Sequence, residues 1–126
     1  MALVHHELCF GCGRTNLFGL LLEVQPAGRD AVAGRCFIKQ DHQGAVPGHA
    51  HEGLIAAALT EAMALACGED VTATSLEMDI TGQAPVGSYL EVEATVQASD
   101  YAGARASASV SVDGKRIASA HGTYAR

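Results

Sequence analysis

One stretch limits the folds open to this chain. Leu54, Ile55, Ala58, Leu59, Ala62, Met63 and Ala66 recur at helical spacing, which places an apolar stripe along one face of a helix. The pattern is not repeated convincingly elsewhere, so this helix must bury its stripe against strands. Small residues at Ala56, Ala57, Thr60 and Ala64 flank the stripe. They let backbone approach closely, which suits a helix laid inside a curved sheet. Pro47 and Gly48 mark a turn just upstream, and His49, Ala50, His51, Glu52 and Gly53 form the helix entry. The first helical turn offers free backbone N–H groups and the positive end of the dipole, where an anion or a developing oxyanion is held.

Most of the remaining chain reads as strands. LFGLLLEV from Leu17 to Val24, followed by Gln25, Pro26, Ala27 and Gly28, predicts a strand and a turn, with Asp30 to Ile38 as its antiparallel partner. In VTATSLEMDI, Val71, Ala73 and Ser75 share one parity while Leu76, Met78 and Ile80 share the other, so a strand with a register irregularity is expected. Pro85 and Gly87 mark the next turn. Three further strands are expected over Tyr89 to Ala98, Ala102 to Val112 and Arg116 to Tyr124, the last two joined by the hairpin signal Asp113-Gly114. Two strands, a helix and four strands make an α+β chain with an antiparallel sheet. Residues 1–16 are polar and irregular and read as an N-terminal loop on a single domain spanning 1–126. Ser and Ala alternate through 106–111 with few bulky residues, leaving one face for solvent or another subunit.

Composition narrows the partners. A net charge of -6 without a basic run opposes a nucleic-acid or anionic-membrane surface. The apolar stretches around 17–22 and 54–67 fall short of the roughly 20 residues that span a bilayer, and no basic-then-apolar leader precedes them, so a cytoplasmic protein is expected. Cys9, Cys12, Cys36 and Cys67 are too few and too uneven for a disulfide framework and read as reduced thiols. Cys36 and Cys67 look like small buried apolar residues. Cys9-x-x-Cys12 with His5 and His6 nearby has the composition of a tetrahedral zinc site. A single Cys pair beside two histidines close to a chain end is a weak pattern, however, and no metal ligand is assigned.

Three motifs, in order, resemble one group of proteins. CFGCGRTNLFGLLLEV at 9–24 is similar to the Cys-x-x-Cys-Gly-x-x-Asn-x-x-Gly-Leu opening of one bacterial branch of the hotdog-fold, PaaI-like acyl-CoA thioesterases. HQGAVPGHAHEGLIAAALTEAMA at 42–64 resembles the loop and central helix of that family, and SLEMDITGQAPVG at 75–87 resembles the strand and proline turn that follow. The resemblance implies a long central helix wrapped by a curved antiparallel sheet, and cysteines that need no metal. It implies a homodimer or homotetramer with an acyl-CoA bound in a cleft between subunits, the coenzyme A thioester being substrate and no cofactor being required. Site residues follow from it: His51 matches the motif histidine, Gly53 its second glycine, Ser75 a strand hydroxyl that positions water, and Gln43 the loop amide that binds substrate.

Two positions depart from the pattern. Glu52 replaces the first glycine of the pair, and Thr60 stands where the family carries its acidic base or nucleophile. Glu61 corresponds to a common non-catalytic glutamate and is aimed away from the cleft by the step of about 100° per helical residue. The expectation is that Glu52 supplies the relocated carboxylate, facing Thr60 of the partner subunit, and that the protein hydrolyses a small or medium acyl-CoA thioester. The second reading is a non-catalytic hotdog protein that binds an acyl-CoA or a small apolar ligand. A third, hydration or dehydration of an acyl thioester, lacks the paired Asp and His such enzymes show.

Overall fold

The structure, a computed structural model, describes residues 2–68 and 70–126; Met1, the first residue of the expected N-terminal loop, and Glu69 lie outside the described residues. Strands β1 (Glu23–Pro26) and β2 (Ala31–Phe37) precede a short 3-10 turn at Gln40–His42 and helix α1 (Glu52–Cys67). Strands β3 (Thr72–Ile80), β4 (Tyr89–Ser99), β5 (Gly103–Val112) and β6 (Lys115–Ala125) follow. All six strands form one antiparallel sheet in the order β1-β2-β4-β5-β6-β3, with α1 packed on its inner face. This is the hotdog arrangement.

Packing of the helix follows from residue size. The middle of the inner face is paved by Ala106, Ala108, Ala120 and Gly122, which lie opposite one another in the β5–β6 register. With so little side chain there, α1 approaches closely, and Leu59 and Met63 fill the remaining space with no exposed surface. Larger residues, Leu90, Val92 and Val110, line the sheet farther along. Truncating a fully buried leucine such as Leu59 to alanine costs about 2–5 kcal/mol, because the cavity adds to the lost transfer energy. The buried set extends past the expected stripe to Ala64, Leu65 and Cys67, while Ala66 is only half-buried.

Local signals account for most boundaries. Asp113 and Gly114 both take positive φ, 51° and 79°, and join β5 to β6 in two residues, as a type I′ hairpin requires. The irregularity expected in the third strand is a register shift between Ala73 and Ser75. The first strand needs correction. The run from Leu17 to Leu22 is not in the sheet, and β1 begins only at Glu23. Leu20 and Leu22 donate their backbone N–H groups to the carbonyls of Phe10 and Gly11, and Leu21 takes a positive φ of 51°. The N-terminal loop captures these amides before a neighbouring strand can.

Tyr124 ties sheet to helix. Its ring is buried on β6, and its hydroxyl donates to the Thr60 carbonyl at 2.8 Å. Tyr124→Phe is expected to lower stability by about 1 kcal/mol, the usual net value of one such bond. The check is a lower urea midpoint at an unchanged denaturant slope; an unchanged midpoint would mean that the bond contributes nothing.

Candidate functional site

The helix entry is held by its own histidine and by the loop before it. His51 is the N-cap of α1, and its Nδ1 accepts from the Gly53 N–H at 2.7 Å. Leu54 and Ile55 donate back to the His51 carbonyl. Among the described residues, the Glu52 N–H has no hydrogen-bond partner. The free donor of the first turn is therefore at residue 52, one position before the glycine the sequence singles out.

Upstream, Gln43 clamps the loop. Its Nε2 donates to the Gln40 carbonyl at 2.8 Å, and its Oε1 accepts from the Gly48 N–H at 2.6 Å. The loop is then stitched to the proline turn: Ala50 N–H donates to the Ala84 carbonyl and Val86 N–H to the Gly48 carbonyl. His42 supports the same junction from below, because its carbonyl accepts from the His51 N–H at 2.8 Å and its Nδ1 accepts from the Lys39 N–H at 3.0 Å.

Between loop, helix entry and the end of β3 lies a groove of about 340 Å³. Val46, Ala50, Ile55 and Ile80 give it an apolar wall, while Glu52, His49 and Gln83 supply polar groups. A carboxylate, an unengaged N–H and an apolar wall at a helix N-terminus can orient a neutral carbonyl compound and stabilise charge that develops on its oxygen.

The expected site residues do not all meet here. Glu52 lines the groove, and His51 and Gly53 shape its entry through the cap. Gln43 spends both ends of its amide on the loop backbone. Thr60 is about 12 Å farther along the helix axis at 1.5 Å per residue, with its hydroxyl bonded back to the Ala56 carbonyl at 2.8 Å. Ser75 pairs with Thr123 on the sheet face turned away from α1, beside Glu77 and His121. Within one chain, then, Glu52 stands apart from both hydroxyls.

Sequence reasoning did not single out Ile80 to Gln83 or buried His42. The first group was visible only as a strand end before a proline turn; that it faces the helix entry depends on the sheet register. Among the described residues, no cysteine lines the groove, and desolvation pushes the buried Cys36 thiol up to about 11.

No protein-family model and no curated protein matches the sequence. Solved structures do match the fold. A single-residue mutant of the phenylacetic acid degradation protein PaaI from Thermus thermophilus superposes with a TM-score of 0.75 at 26% identity, over 83% of this chain and 92% of its own. The PaaI protein of the E. coli phenylacetic acid degradation operon gives 0.76 at 15% identity, over 85% and 84%. A phenylacetic acid degradation-related protein from Ralstonia eutropha JMP134 gives 0.76 at 18% identity, over 85% and 86%.

Burial, followed by the nearby Lys39 charge, holds His42 below the ordinary histidine value of 6.5, with Asp41 opposing. Neutral His42 is thus the form that fits the fold. Its contribution is fully present above the unfolded value and is lost as pH falls through the lower folded value. Urea midpoints measured from about pH 7.5 to 5 are expected to fall toward acid, and His42→Gln is expected to flatten part of that slope. In strand order and in the placement of the helix against the sheet, the protein has the hotdog fold, which it shares with PaaI and other thioesterase-superfamily structures.

Proposed function

We propose that the protein hydrolyses a small or medium acyl-CoA thioester in a cleft completed by a second copy of the chain. The observation that carries this reading is residue 52, whose carboxylate and free N–H both stand at the helix entry beside a mixed groove with one apolar wall. The N–H polarises the thioester carbonyl. The carboxylate takes a proton from water as that water attacks the carbonyl carbon, giving a tetrahedral intermediate. Collapse breaks the C–S bond, and the departing thiolate takes the proton from Glu52. The products are the carboxylic acid and the free thiol. A carboxylate close to an oxyanion opposes its charge. The two roles therefore require the Glu52 side chain to turn toward Thr60 of the partner subunit and away from its own N–H.

Self-association is supported by the sheet edges. β1 is four residues long and ends in Pro26, a poor template for pairing. β3 is nine residues long, contains no proline or lysine, and leaves Leu76 and Ile80 exposed, Ile80 in the groove wall itself. Pairing two copies of β3 would cover both residues and bring two helix entries toward one cleft. Leu76→Lys is expected to give monomers in analytical ultracentrifugation and to abolish turnover; an unchanged mass would reject this edge as the interface.

Thiol release should be followed on short, medium, long and aromatic acyl-CoA thioesters. Glu52→Gln is expected to reduce kcat by about 100-fold, the usual worth of a general base, while Thr60→Ala retains turnover. Unchanged turnover in Glu52→Gln would falsify the relocated carboxylate. Two observations favour the second reading, a ligand-binding hotdog protein: Thr60 is bonded to its own helix, and Glu61 is engaged by the N-terminal loop. Saturable acyl-CoA binding with no thiol release on any substrate would select it.

A further inference from the structure

The N-terminal loop and the middle of α1 meet at four metal-ligating side chains. His5, Cys9 and Cys12 come from the loop and Glu61 from the helix, and one donor atom of each lies within 4.8 Å of the others. We propose that these four residues bind one zinc ion in a closed, structural site. The site is separate from the groove and does not depend on the thioesterase reading.

Distances and chemistry both fit. Bonds of about 2.3 Å to sulfur and about 2.0–2.1 Å to nitrogen or oxygen, in a tetrahedron, require donor–donor separations of about 3.3–3.8 Å. Nδ1 of His5 lies 3.6 Å from the Cys9 sulfur and 3.5 Å from the Cys12 sulfur. Glu61 Oε2 is 3.2 Å from the Cys9 sulfur and 2.9 Å from His5 Nδ1, a few tenths of an ångström short of tetrahedral spacing, so the ion would push these donors slightly apart. Two sulfurs, an imidazole and a single carboxylate oxygen favour zinc over calcium or magnesium, which take mostly oxygen ligands. Protein groups fill all four positions, so no open position is left for a substrate.

The surrounding backbone is shaped around the donors. Cys9-x-x-Cys12 forms a tight turn in which Gly13 N–H donates to the Cys9 carbonyl at 2.9 Å. The His5 N–H points at the Cys12 sulfur at 3.1 Å, as an amide does toward a bound thiolate. Gly11 lies directly against the Glu61 side chain, where any Cβ would overlap it. Cys12 is fully buried, and the His5 and Glu61 side chains are only 16% and 13% exposed. Zinc entry expels the two thiol protons, leaves His5 bound through Nδ1 with its proton on Nε2, and replaces the hydrogen bonds to Glu61 with coordination. The ion ties residues 5–12 to the helix, and it holds Glu61 away from the groove.

The test is metal analysis of tag-free protein purified without chelator, together with cobalt(II) substitution. One zinc per chain is expected, with cobalt giving a tetrahedral spectrum and thiolate-to-metal charge transfer. Zinc retained after dialysis should fall about tenfold or more in Cys9→Ser and in Glu61→Gln, and remain in Cys67→Ser. Chelation should lower the Tm of the parent protein and leave that of Glu61→Gln unmoved. If the cysteine variant does not fold, the cobalt spectrum of the parent still decides whether thiolates bind metal. A parent that takes up neither ion while its thiols are reduced overturns the proposal. So does a Cys9–Cys12 disulfide in freshly purified protein, or zinc that persists in both site variants.

Discussion

The close approach of α1 to the sheet is the contact on which the rest of the molecule depends. It is possible because Ala106, Ala108, Ala120 and Gly122 present almost no side chain at the middle of the inner face. Tyr124 then reaches from β6 to the Thr60 carbonyl and fixes how the helix lies. A bulkier residue in this row would lift the helix and move its N-terminus relative to the end of β3. Because the groove is bounded by those two elements, its shape is set by packing some distance away.

The helix carries different chemistry at its start and its middle. At its start, the His51 cap consumes the Gly53 N–H and leaves that of Glu52 unengaged, so an N-cap side chain decides which donor of the first turn stays free. One residue past Thr60, the helix meets the N-terminal loop, and there Glu61 bonds to Cys9 and His5, 52 and 56 residues away in sequence. Residues 60 and 61 are neighbours in the chain but serve separate regions, as the rotation between successive helical positions requires. Glu61 is therefore committed to the N-terminal loop and takes no part in the groove at the helix entry.

Capture of the segment 17–22 by the N-terminal loop shows how two backbone preferences compete. Alternating burial at Leu20, Leu22 and Val24 is strand-like. The partner of the first two is nevertheless the loop at Phe10 and Gly11, not β2. Gly19 and the positive φ at Leu21 turn the chain so that apolar side chains still enter the core while ladder pairing starts only at Glu23. The apolar pattern reports burial here, and it does not report which backbone satisfies the amides.

By itself the sequence determined the single helix, the antiparallel strands around it, the Asp113-Gly114 hairpin and the irregularity near Ser75, because each is written in local spacing or turn chemistry. Its resemblance to the PaaI-like thioesterases also drew attention to Glu52 and Thr60 as departures from that pattern. Only the tertiary structure decided which amide at the helix entry is free, that Ser75 lies across the sheet from α1, and that Ile80 to Gln83 form a groove wall. It alone brought Glu61 to His5, Cys9 and Cys12, across 56, 52 and 49 residues. Contacts of that separation have no local signature, since they arise only when the sheet has closed around the helix.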